Sequence, residues 1–163
     1  MASRDRRARA SGTPSVIARA DIVAAARSLI GTPFRHQARL PGVGIDCLNL
    51  IGEVGLRVGA DGCEQWAADP DLSSYGRTPR PDILLRKCDE YLDRVSLAAV
   101  GLGDVLVMAF KVFPQHFAIV SRVNPTYIVH AYPLPGVARV VENGVAVAGA
   151  TVVRAYRFRG VEA

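Results

Sequence analysis

The hydrophobic pattern changes character once, near Gly103, and that change limits the folds open to the chain. Before it, apolar residues recur at helical spacing. After it come short β-rich runs, GDVLVMAF, HFAIVSRV, TYIVHAY, ARVVE and TVVRAYRF, with turn residues such as Asn124-Pro125 and Asn143-Gly144 between some of them. Helices first and a strand meander afterwards predict an α+β domain. At 163 residues, 50% of them hydrophobic, the chain is the usual size of one domain with a well-formed core.

Charge is concentrated at one end. Of the formal +5, the first 19 residues hold five Arg against one Asp, which leaves the body near neutrality. Residues 1–19 are therefore expected to be a basic, disordered tail, and residues 20–163 a single folded domain. A near-neutral body argues against a nucleic-acid groove, which needs Lys and Arg spread over the fold. No apolar run approaches the roughly 18 residues of a membrane span, and the tail has a signal peptide's charge without its apolar centre. Synthesis in the cytoplasm without a Sec-type leader is the expectation. Cys47, Cys63 and Cys88 are odd in number and form no CxxC pair, so neither disulfides nor a metal site is expected, and no cofactor.

Within the first half, DIVAAARSLIG reads as a short helix and TPFRHQARLPGVG as a loop. IDCLNLIGEVGLRVGA reads as a helix with Cys47 at its start and Gly59 as its stop. Residues 60–81 show no periodicity and read as a long surface excursion, packed down by Trp66 and Tyr75. PDILLRKCDEYLDRVS makes an amphipathic helix with Pro81 in its first turn and Cys88 as an inert core residue.

The chemistry-bearing residues are Cys47, His116 and His130. A helix N-terminus favours a thiolate, and reactive cysteines so placed have pKa values lowered to about 3.5–7.5. Asp46-Cys47 sits at such a turn. His116 shares a strand face with Ala118 and Val120, and His130 with Ile128 and Tyr132. If the two strands pair around Asn124-Pro125, the histidines become cross-strand or diagonal neighbours. Nucleophile, base and orienter would then lie in one relay.

The order GTPFRHQ, GIDCLNLI, GDVLV, QHFAIV, VHAY resembles the NlpC-type cell-wall cysteine peptidases, in particular their phage-tail and gene-transfer-agent branch, over roughly Ile22 to Phe158. The resemblance implies a papain-like α+β core in which N-terminal helices pack on a small antiparallel sheet. It implies a thiol protease that cuts peptide bonds in peptidoglycan stem peptides, with Cys47 as nucleophile, His116 as base and His130 as third member. Phe34, His36, Gln37 and Asp46 are the candidate substrate-binding residues. Phe34 stands where relatives tend to carry Tyr, and His36 or Gln37 could replace the missing donor. Leu48-Asn49 stands where many have Ser-Gly, which predicts a more crowded helix start. The branch implies tail proteins as partners and delivery in a phage-like particle to the periplasm or cell wall. Two alternatives stay open: a papain-like amidase or acyltransferase using the same residues, and a catalytically weak tail or envelope-binding module.

Overall fold

The computed structural model describes residues 16–73, 80–110, 113–133, 136–146 and 150–163. In chain order the elements are α1 (Arg19–Arg27), β1 (Arg39–Leu40), β2 (Gly44–Ile45), α2 (Cys47–Val58), α3 (Cys63–Ala68), α4 (Pro70–Ser73), α5 (Pro81–Tyr91) and β3 (Asp93–Val95). A 3₁₀ turn at Leu97–Ala99 leads into β4 (Val105–Phe110), β5 (Phe113–Arg122), β6 (Tyr127–Tyr132), β7 (Arg139–Gly144) and β8 (Ala150–Arg157). Strands β3 to β8 form one antiparallel sheet in the order β3-β8-β4-β5-β6-β7, and β1 and β2 form a separate small pair. The architecture is α+β, with the helices packed on antiparallel sheet, as the change of pattern at Gly103 predicts.

Strict alternation gives the large sheet two apolar faces. Val105 and Val107 of β4, with Phe117 and Ile119 of β5, join the main core, to which α1 and α2 contribute Ile22, Leu48, Ile51 and Val54. Leu106, Met108, Ala118, Val120 and Ile128 form a second cluster on the other face. The α2 helix is buried on several sides because a second layer packs against it. Gly52 and Gly55 lack side chains where α3 approaches. A Cβ at Gly52 would stand 2.7 Å from the Trp66 ring, and Cys63 occupies the space over Gly55.

That packing changes the reading of residues 60–81. The expected excursion contains two short helices, α3 and α4, and Trp66 is a core residue, 2% exposed, with its ring edge-on to Tyr91 at 6.1 Å. Tyr75 lies outside the described residues. The loop before Cys47 holds the β1–β2 hairpin, and Asp93–Val95, expected as the end of a helix, pairs with β8 as an edge strand. Asn143-Gly144 is not a turn but the end of β7, where Asn143 pairs with Ile128.

Residues 16–19, expected in the tail, join the body. The Ile17 N–H donates to the Gly160 carbonyl at 2.8 Å, and Arg19 opens α1 and reaches Asp104 at 3.3 Å.

Candidate active site

The α2 helix begins at Cys47 because Asp46 caps it. Asp46 is fully buried. Its Oδ1 accepts the Asn49 backbone N–H at 2.8 Å and the Asn49 side-chain amide at 2.9 Å, and its Oδ2 accepts the Gln37 N–H at 2.7 Å. Gly59, at φ 70°, ends the helix in the left-handed conformation. The carboxylate thus joins the loop over residues 31–38 to the start of α2. The backbone N–H groups of Phe117, Cys47 and Leu48 face the Cys47 sulfur. Phe117 immediately follows His116, so the thiol lies against the β5 backbone just after the base candidate.

Strands β5 and β6 pair through Ile119↔Val129, Val120↔Ile128 and Arg122↔Tyr127. Extending that register makes His116 and His130 diagonal neighbours on one face. They meet: His116 Nε2 and His130 Nδ1 are 2.7 Å apart, with ring centres at 4.9 Å. Against β4, Met108 pairs with His116 and Ala109 with Pro114, so β5 carries one extra residue next to the histidine. A bulge of this kind re-aims neighbouring side chains. The other ring nitrogen of His130, Nε2, lies 2.9 Å from Asn143 Oδ1. Nothing in the sequence pointed to Asn143, since Asn-Gly reads as turn chemistry. The signal available was the register: β6–β7 pairing puts Val141 opposite His130, and Asn143 follows two residues on, on the same face.

The electrostatics correct one expectation. Burial pushes the Cys47 thiol up to about 12, and the neighbouring Asp46 charge adds in the same direction. The N–H groups of Phe117, Cys47 and Leu48 act the other way without prevailing. His116 is 2% exposed, and burial, with His130 second, pulls its pKa down to about 3. Burial also lowers His130, against the hydrogen bond its ring donates to Asn143 Oδ1. The resting site therefore holds a neutral thiol and a neutral imidazole, not the thiolate expected of a helix start, because desolvation outweighs the helix terminus.

Phe34, His36 and Gln37 share the loop that leads to α2. Phe34 is half-buried, bridges to Ile45 and donates its N–H to the Ala138 carbonyl at 2.8 Å. Gln37, at φ 61°, and His36 have exposed side chains, with the Gln37 backbone held by Asp46. Leu48 and Asn49 do not crowd the helix start as expected: Leu48 is 2% exposed in the core, and Asn49 is bonded to Asp46. Cys63 and Cys88 are buried, with thiols pushed up to about 12. Among the described residues no group of three His, Cys, Asp or Glu could hold a metal ion, and no helix is long and apolar enough to cross a membrane.

No protein-family model and no curated protein matches the chain. Solved structures do. The NlpC/p60 domain of the peptidoglycan hydrolase SagA superposes with a TM-score of 0.55 at 25% identity, over 86% of this chain and 98% of that one. The chain has the NlpC/p60 fold. An NlpC/p60 family protein from Bacillus cereus superposes at 0.60 with 16% identity, over 93% of this chain and 43% of that one. NlpC1 from Trichomonas vaginalis does so at 0.59 with 12% identity, over 84% and 42%. The chain spans less than half the length of these two proteins.

Proposed function

We propose that this NlpC/p60-fold chain is a cysteine peptidase that hydrolyses peptide bonds in the stem peptides of bacterial peptidoglycan, with Cys47 as nucleophile, His116 as base and His130 as orienter. The observation that carries the reading is the buried, hydrogen-bonded His116–His130 pair next to the Cys47 end of α2, in a fold shared with a domain of a peptidoglycan hydrolase. His116 Nε2 is engaged with His130, which leaves Nδ1 to take the Cys47 proton as the sulfur attacks the substrate carbonyl. Both charges form together in the transition state, so a neutral resting pair is compatible with turnover. The N–H groups at the start of α2 stabilise the oxyanion, and the imidazolium then protonates the leaving amine. Water hydrolyses the thioester, with His116 as base again. Phe34, His36 and Gln37, on the loop held by Asp46, form one wall for the substrate.

The motif order further supports a setting for this activity. The chain is made in the cytoplasm and incorporated in a phage-like tail, whose proteins are its partners, and it opens the wall locally on entry. Residues 1–15 carry most of the excess positive charge, which would favour docking to that particle or to the anionic wall.

Mass spectrometry of peptidoglycan fragments after incubation with the protein tests the reaction. The expected product carries a new free amine within the stem peptide, with glycan strands intact, is absent with Cys47→Ala, and forms in the presence of EDTA. Reducing sugar ends would overturn the peptidase reading. Release of whole stems from the lactyl group would replace it with an amidase.

A further inference from the structure

We infer that Asn143 is a positioning residue that selects the tautomer of both histidines and thereby decides which nitrogen of His116 is basic. The inference rests on the proposed peptidase reading for its consequence, but its geometry stands alone. An amide oxygen only accepts, so Asn143 Oδ1, 2.9 Å from His130 Nε2, requires a proton on that nitrogen. A neutral imidazole carries one N–H, so His130 Nδ1 is bare and can only accept. Its neighbour at 2.7 Å, His116 Nε2, must then be the donor. That leaves the lone pair of neutral His116 on Nδ1, the one ring nitrogen not engaged with His130 and the one that can take a thiol proton.

The chain of three groups is therefore directional, and its sense is set at the Asn143 end. Were the amide nitrogen of Asn143 presented instead, His130 would carry its proton on Nδ1 and donate to His116 Nε2. His116 would then hold its proton on Nδ1 and could not act as base from that side. Position 143 can perform this role because it follows Val141, the register partner of His130, by two residues, and so shares the histidines' face at a diagonal. Asn143 neither touches the thiol nor the reacting atoms; it acts through His130.

Histidine ring-nitrogen NMR on the whole chain at neutral pH reads the tautomers directly, without substrate. In the wild-type protein His116 and His130 are both expected as the Nε2–H form. Asn143→Asp keeps an acceptor at the same place and should keep that pattern. Asn143→Leu removes it and should give mixed or reversed tautomers at both rings, including His116, which Asn143 does not contact. On peptidoglycan fragments Asn143→Leu should lower kcat on the order of 10- to 100-fold, as loss of other groups that orient an imidazole does, with KM little changed. Retention of both Nε2–H tautomers in Asn143→Leu would overturn the inference, as would loss of them in a folded Asn143→Asp protein. If the wild-type chain showed the expected tautomers and their dependence on position 143 but cleaved no stem peptide, the peptidase reading would fail and the positioning role would stand.

Discussion

Two buried polar clusters among the described residues of the β region, both seeded by short motifs, are satisfied in opposite ways. At the start of β4, Asp104 is fully buried, and its oxygens accept from Arg157 Nε at 2.8 Å, Arg157 Nη2 at 2.9 Å, Arg19 Nη1 at 3.3 Å and the Gly101 N–H at 2.8 Å. The cluster joins α1, β4 and β8 through opposite charges. Across β5, β6 and β7 the second cluster, His116, His130 and Asn143, is joined by two neutral hydrogen bonds in line. The Asp104 cluster occupies its acceptors and leaves nothing to react. The histidine chain keeps one imidazole nitrogen of His116, Nδ1, outside the hydrogen bond to His130. GDVLV and QHFAIV are equally informative as sequence matches, and only the partners show that one carries an ion-paired carboxylate and the other a neutral hydrogen-bonded chain.

The largest effect expected to separate the two clusters is on turnover. Cys47→Ala should lower activity at least on the order of 10⁴-fold while leaving thermal unfolding nearly unchanged, because the residue is only partly buried and the change removes a single sulfur atom. His116→Ala should follow it closely. Wild-type turnover by Cys47→Ala would remove the mechanism altogether. Next comes Asp104→Asn, which should cost about 3 kcal/mol of stability, since one amide cannot satisfy two guanidinium partners in place of a carboxylate. Activity per folded molecule should be unaffected. A large loss of kcat with unchanged denaturation would mean that Asp104 serves the site and that the contrast is false.

A smaller effect concerns thiol reactivity. With its pKa near 12 rather than the roughly 8.5 of free cysteine, Cys47 has about 3.5 decades less thiolate at neutral pH, of which its greater intrinsic nucleophilicity restores about 1.5. Iodoacetamide should therefore alkylate Cys47 in the substrate-free protein roughly a hundredfold more slowly than free cysteine, and Cys63 and Cys88 only after unfolding. Rapid labelling at slightly acidic pH would show a resting thiolate and imidazolium pair, and the neutral description would have to go.

Much of the architecture could be read from the sequence because it rests on periodicity. The five later strands are short β-rich runs broken by turn residues, and α2 has helical spacing and a stop at Gly59. The pairing of His116 with His130 was open to register reasoning alone. What escaped was short or depended on tertiary contact. Helices α3 and α4 have six and four residues, too few for a period, and lie among Asp, Gly and Pro. The place of α3 is decided by Gly52 and Gly55 on another helix. The state of Cys47 is not legible for a related reason: the helix terminus is visible in sequence, but the desolvation that outweighs it is made by tertiary packing against the main core. Leu48 and Asn49 looked like obstacles beside the nucleophile because sequence does not show which way a helix start faces.

The mildest test acts on the histidine cluster through folding. The pKa of His116 is lowered from 6.5 in the ordinary state to about 3 in the native protein. Between those values the unfolded chain binds a proton that the native state does not, so stability rises with pH across the window and falls on acidification. For this one group the slope is about 1.4 kcal/mol per pH unit. His130, also lowered, adds in the same sense. Denaturant titrations from neutral to acidic pH should show the decline, and His116→Gln, which cannot titrate, should flatten it whatever its stability at neutral pH. The Asp104 cluster supplies the control: Arg157→Ala should lower the whole curve while leaving the slope due to His116 in place. An equal slope in His116→Gln and wild type would mean that His116 is not held neutral by burial, and the two clusters would no longer differ in kind.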